Sequence, residues 1–223
     1  MMTNLFSIFD TNTNNLIELN WISSIFNLLI LPMLYWYLPS RIITTMNLIF
    51  NFLYKEFKII LVSKFNYLNL LYMISLMLMI LLNNLMGLFP YIFTSSSHLI
   101  FSLSFSLPLW IGLMMFLITK NLNFMFSHMI PQGTPNLLTP FMVLIETISN
   151  FIRPSTLAIR LTANMIAGHL LLTLLSESAN SIIIISTLII LIQIILLILE
   201  FSVSIIQSYV FTILNILYIK ESN

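Results

Sequence analysis

The stretch IRPSTLAIRLTANMIAGHLL, from Ile152 to Leu171, sets two arginines and a histidine in an otherwise apolar run. Arg153 stands beside Pro154, near a possible segment end, whereas Arg160 is flanked by Ile159 and Leu161. A charge in hydrocarbon costs between about 3 and more than about 10 kcal/mol, so Arg160 needs a chemical reason. Glu146, Arg153 and Arg160 are spaced seven apart, which at about 100° per residue places them on nearly one helix face. Asn164 joins that face one turn beyond Arg160. His169, nine positions past Arg160, projects from the opposite side and about 13 Å further along the axis. Further on, Glu200 and Gln207 are again seven apart with Ser204 between them, a polar seam in a helix otherwise built from Ile and Leu.

Chemistry sorts these groups. Arginine keeps its proton at accessible pH, so Arg160 cannot be a link in a proton relay. A fixed positive charge can attract a carboxylate or repel a proton, which makes it a counter-ion or a gate. Glu146, His169 and Glu200 can exchange protons and are the relay candidates. Plainer readings stand beside these. Arg160 could pair with Glu146, although about 21 Å of helix axis separates them. Arg153 could be interfacial, and His169 a satisfied polar residue between helices. His98 and His128 fall in connections without partners and receive no role, and Glu177 reads as solvated.

The elements that must position these residues are membrane helices. Hydrophobic side chains make up 59% of the 223 residues and charged ones 7%, against about 25% charge in an ordinary soluble domain; the mean hydropathy is +1.03. Several uncharged runs reach the roughly 20 residues that span a hydrocarbon core. They are apolar on every side, which argues against a transmembrane barrel with its alternating strands. The fold class expected is an all-α integral membrane protein. It has about five crossing helices plus an interfacial amphipathic helix, the last two crossings being long and strongly tilted.

As a single membrane domain over 1–223, the chain divides into a first span at 22–38 and an interfacial helix at 40–66. Two spans follow at 67–93 and 99–119, then two long segments at 137–176 and 181–219. Trp21, Trp36 and Tyr37 mark the ends of the first span as interfacial aromatics. Arg41, Lys55, Glu56, Lys58 and Lys64 interrupt the next segment too often for it to cross. IPQGTP, Ile130 to Pro135, reads as a loop. The last segment has neither Gly nor Pro to break it, and at about 57 Å it is nearly twice the hydrocarbon thickness, so tilt is expected.

Basic residues follow the first span, the third (Lys120) and the last (Lys220), while TSSSH (Thr94 to His98) and SESANS (Ser176 to Ser181) contain no Lys or Arg. The positive-inside rule then puts the C-terminus on the side from which insertion began and the N-terminus on the other. A net charge of +1 argues against nucleic acid as a partner, and zero cysteines exclude disulfides and thiolate metal sites. MMTNLFSIFD has no Lys or Arg, so the mature chain is expected to begin at Met1. No GxxxxGK[ST] phosphate loop occurs, and no cofactor or metal is expected.

The run RPSTLAIRLTANMIAGHLL, with IETISNFIRP before it and LEFSVSIIQSYVF after it, resembles the a-subunit family of the membrane sector of proton-translocating ATP synthases. NNLMGLFPYIFTSSSH (Asn83 to His98) and IPQGTPNLLTPF (Ile130 to Phe141) are similar to other blocks of its mitochondrial members. Ile159 in place of the more usual Val, and Ser176 where Gly is common, are mild departures. The resemblance implies a non-catalytic stator subunit in the mitochondrial inner membrane. Its partners would be lipid, a rotor ring of c subunits and other stator subunits, and its ion the proton. By the same resemblance Arg160 faces the rotor carboxylate and separates two half-channels. Glu146 and Asn164 lie near the matrix half-channel, His169 and Glu200 line the intermembrane-space one, and Gln207 is a polar partner near the arginine. Two other classes remain for comparison: a secondary transporter using Arg160 as an anion site, which would favour broken helices and repeated halves, and a lipid-embedded assembly subunit.

Overall fold

The computed structural model describes residues 5–13, 18–33, 35, 37–61, 67–120, 122–130, 135, 138–178 and 183–222. Trp36, Lys64 and parts of the two expected connections, 131–134 and 179–181, lie outside the described residues. Every regular element among the described residues is helical. Among the described residues four helical stretches are long and apolar enough to cross a membrane, Leu68–Gly87, Leu99–Lys120, Thr139–Ser178 and Ser186–Lys220.

Helix α1 (Ile22–Phe26) is lengthened by 3-10 turns at Leu19–Trp21 and Asn27–Ile30 into a shorter apolar helix. The first span was expected to run on to Leu38. It stops because Leu31 precedes Pro32, whose ring disfavours the helical conformation at the residue before it, and Leu31 is extended (φ −66°, ψ 124°). Helix α2 (Arg41–Ile60) starts where the Ser40 hydroxyl accepts from the Ile43 amide at 3.4 Å. It is amphipathic, burying Leu53 and Phe57 while Lys55 and Lys58 stay exposed.

Helix α3 (Tyr67–Gly87) ends six residues before the expected Phe93. Pro90 is the reason, since it can neither donate to the preceding turn nor allow Phe89 an easy helical backbone. The chain tightens through Leu88 N–H to Leu85 O and Phe89 N–H to Met86 O, both 3.2 Å. It then turns through Tyr91 at φ 67° and a 3-10 turn at Ser95–Ser97 into α4 (Leu99–Lys120). A short helix, α5 (Leu122–His128), follows where only a connection was expected.

Helices α6 (Thr139–Ser178) and α7 (Ile183–Ser222) have 40 residues each. At 1.5 Å per residue each is about 60 Å long, so the long segments are continuous and must tilt or project beyond the lipid. Pro154 does not end a segment, as the first reading of Arg153 allowed, but sits buried inside α6. Membrane helices tolerate such prolines because nearby hydroxyls and neighbouring helices compensate.

Two apolar clusters fix how these helices are rotated. Leu76 and Ile80 of α3 meet Leu157 and Leu161 of α6 and Phe211 of α7. Nearer the basic side, Leu53 and Phe57 of α2 pack with Leu70, Met73 and Met77 of α3 and Ile216 and Ile219 of α7. The Tyr209 hydroxyl donates to Glu56 Oε2 at 2.8 Å, fastening α2 to α7. Hydrogen bonds to charged groups contribute about 1.5–3 kcal/mol. Tyr209→Phe should therefore loosen α2, seen as faster amide hydrogen exchange across Arg41–Ile60 with α3 unchanged; equal protection in both would show the bond to be idle.

Candidate functional site

The apolar contacts of α3 with α6 and α7 leave a cavity of about 280 Å³ between them, lined by Asn84, Asn164, Gly168, Glu200, Ser204 and Gln207 among mostly apolar neighbours. The sequence-predicted residues divide around it. Asn164 and Gln207 are joined across the α6–α7 interface, Asn164 Nδ2 donating to Gln207 Oε1 at 3.4 Å. Glu200, one wall of the cavity, is buried, and neither carboxylate oxygen has a protein hydrogen-bond partner. Ser204, Gln207 and Ser208 continue the buried polar stripe down α7.

Glu200 reaches this position because residue 168 is glycine. A Cβ built there would lie 2.8 Å from both Cδ and Oε1 of Glu200, closer than any side chain allows. The carboxyl group thus packs directly on the α6 backbone. His169, the next residue, is half-buried but is not part of the cavity wall. Its ring lies against the Gly87 backbone and edge-on to Phe9 at 6.4 Å, with Nε2 buried and without a partner. Gly168 therefore separates two protonatable groups that are on opposite sides of it.

Glu146 is elsewhere. Its Oε1 pairs with Arg153 Nη2 at 3.7 Å, both side chains about a third exposed (32% and 33%), and the Arg153 guanidinium lies over the Tyr218 ring at 5.4 Å. The seven-residue spacing thus joins Glu146 to Arg153, and Arg153 has a role that a purely interfacial reading did not assign. Arg160 is exposed on the outer face of α6, next to exposed Ile159, and among the described residues it has no carboxylate partner.

Two residues of the site were not singled out from the sequence. Asn84 is fully buried and both its amide atoms are unpartnered, yet its neighbour Asn83 accepts from Asn27 Nδ2 at 2.7 Å and donates to the Met79 carbonyl. The Asn83–Asn84 doublet inside an apolar run was the available signal. Gly168 was legible only as one of four glycines in the chain. Among the described residues no group of three His, Cys, Asp or Glu converges as a metal site would require. What the cavity offers instead is a carboxylic acid that can take or release a proton, amides and a hydroxyl that can order water, and a permanent cation close by but outside it.

Comparison with known proteins agrees with this chemistry. Residues 17–220 match the family model described as ATP synthase A chain. The chain is 53% identical over 224 aligned positions to ATP synthase subunit a of Drosophila melanogaster, covering 100% of both chains. It is 52% identical over 226 positions to that of Aedes aegypti, again with full coverage, and 52% identical over 223 positions to that of Locusta migratoria, with 99% of each covered. The family match over most of the chain, together with these full-length relatives, establishes that this multi-pass helical protein belongs to the ATP synthase A chain family, the proton-channel stator subunits of the membrane sector.

Proposed function

We propose that the outer face of α6 and α7 borders a rotor ring of c subunits in the mitochondrial inner membrane. Arg160 there meets the ring's carboxylate and keeps two proton half-channels apart. The observation that carries this is Arg160 itself: a permanent charge, exposed beside Ile159 on helices whose outer faces are largely apolar, with no carboxylate partner among the described residues. Such a charge is costly in lipid and is compensated if a carboxylate from another subunit passes it. A protonated rotor carboxylate is neutral and can travel through lipid, and its ionised form is held at Arg160 until reloaded. Glu200 and His169, on the α6–α7 connection side of Arg160, serve the intermembrane-space half-channel, Glu146 the matrix one, and Asn164 and Gln207 flank the arginine.

Rotation carries the stored energy to a catalytic head elsewhere. The test is contact: Ala163→Cys, exposed three residues past Arg160, should cross-link to a cysteine placed near the rotor carboxylate, and the chain should co-migrate with the ring of small proteolipids. A secondary transporter would give neither result.

Gly168→Ala should lower proton-driven ATP synthesis per assembled complex, because the new methyl displaces the Glu200 carboxyl group. Overpacking of this kind costs about 1–3 kcal/mol, small enough for the subunit to remain in the complex. Undiminished synthesis at normal assembly would show that the Glu200 position is not critical.

A further inference from the structure

The connection between α3 and α4 is unusual for a loop, which ordinarily runs over the surface with its polar groups solvated. Thr94, Ser95, Ser96 and Ser97 are only 2%, 2%, 0% and 4% exposed, packed against α6, α3 and α4. Ser97 Oγ donates to the Thr94 carbonyl at 2.7 Å and lies 3.0 Å from Thr94 Oγ1, Ser95 Oγ is 3.5 Å from Asn83 Oδ1, and Ser96 Oγ has no protein partner. A buried hydroxyl left without a partner costs about 1–3 kcal/mol unless water meets it, so the Ser96 hydroxyl calls for a water or a proton-passing role.

At the outer end of this turn His98 is half-buried, its ring stacked on Phe93 (centroids 5.2 Å apart) and tilted against Trp21 (5.3 Å), with Nε2 turned inward and unpartnered. At the inner end Thr94 packs on Gly87, its Cγ2 3.2 Å from where a Cβ would stand, and Gly87 is the backbone against which His169 lies. Asn83, the partner of Ser95, adjoins Asn84, whose unpartnered amide lines the cavity with Glu200. The buried turn hydroxyls, Asn83 and Asn84 thus lie in succession between His98 and the two protonatable groups of the site. Among the described residues the N-terminal segment brings two acids to this region, Asp10, whose backbone carbonyl accepts from Asn20 Nδ2 beside Trp21, and Glu18, just outside α1; α3 contributes no Asp, Glu, His, Lys or Arg, Lys120 is at the far end of α4, and His169 is the titratable group of α6 at this level.

We propose that His98 and the Thr94–Ser97 turn form a proton-collecting entrance that feeds His169 and Glu200 from the intermembrane-space side. His98 takes a proton on one ring nitrogen and releases one from the other into the turn, where hydroxyls and water pass it on, so the imidazole is neutral again at the end of each transfer. This assignment rests on the reading of Glu200 and His169 as the outer half-channel.

The test uses vesicles carrying the assembled complex, driven by an imposed proton gradient, with His98→Ala, His98→Gln and an Arg160→Ala control. His98→Ala should slow ATP synthesis several-fold without raising passive proton conductance. Imidazole added on the intermembrane-space side should restore the rate, whereas thiazole, a ring of similar size that stays unprotonated near neutral pH, should not. His98→Gln, which fills the space but exchanges no proton, should be slow and insensitive to imidazole. Unchanged synthesis in both variants, or a loss that imidazole does not reverse in His98→Ala, overturns the proposal and leaves His98 a packing residue. If His98→Ala does not assemble, His98→Gln decides by its rate alone, slow supporting and unchanged overturning. Coupling that survives Arg160→Ala would overturn the parent reading instead, whichever way His98 behaves.

Discussion

Vesicles carrying the complex with Arg160→Ala should lose ATP synthesis while passive proton conductance persists or rises. The arginine is exposed on the outer face of α6 with no carboxylate partner among the described residues, so its removal costs the fold little and leaves the cavity and its hydrogen bonds in place. What disappears is the fixed charge. On the proposed arrangement an ionised rotor carboxylate would then have no counter-ion on an apolar surface, at a cost between about 3 and more than about 10 kcal/mol, and would stall. By the same proposal nothing would repel a proton moving directly between the half-channels. A membrane potential of 100 mV supplies about 2.3 kcal/mol per charge, and that energy is dissipated as leak instead of rotation. Synthesis and conductance measured on the same vesicles separate this from simple loss of assembly, and coupled synthesis surviving the substitution would make the arginine structural.

Glu200→Gln has the opposite signature in conductance. The amide keeps the volume and the contact with Gly168, but it cannot exchange a proton. Removing a positioned acid–base group typically costs about 10² to 10⁴ in rate, and both synthesis and passive flux should fall by at least the lower figure. The double substitution Arg160→Ala with Glu200→Gln should close the leak that the first opens, because the proton no longer reaches the gap. Flux undiminished in Glu200→Gln would mean that protons reach the rotor by a route that avoids this carboxylate.

Much of this protein was legible in its sequence, because in lipid the rules are few. Backbone polar groups must be satisfied within each segment, so uncharged runs of sufficient length become helices and the rare charges among them stand out. That is why α6 and α7, Arg160 and the seam from Glu200 to Gln207 could be named from spacing alone. The end of α3 at Gly87 and of the first helix at Ile30 were misplaced by reading hydropathy past Pro90 and Pro32, although proline chemistry local to the sequence accounts for both.

The tertiary structure decided what no periodicity contains, namely which face of each helix meets which neighbour. Helical spacing puts Asn164 and Arg160 on one stripe, but only the packing of α3 on α6 and α7 turns Asn164 toward Gln207 and leaves Arg160 outside. It pairs Glu146 with Arg153, sets Glu200 on Gly168, brings Asn84 from a distant helix to the same cavity, and buries a serine turn that composition would have placed in water. These contacts join residues far apart in the chain. Their partners follow from complementary shapes of whole helices packed at close to crystal density, a property of the assembled bundle rather than of any one segment.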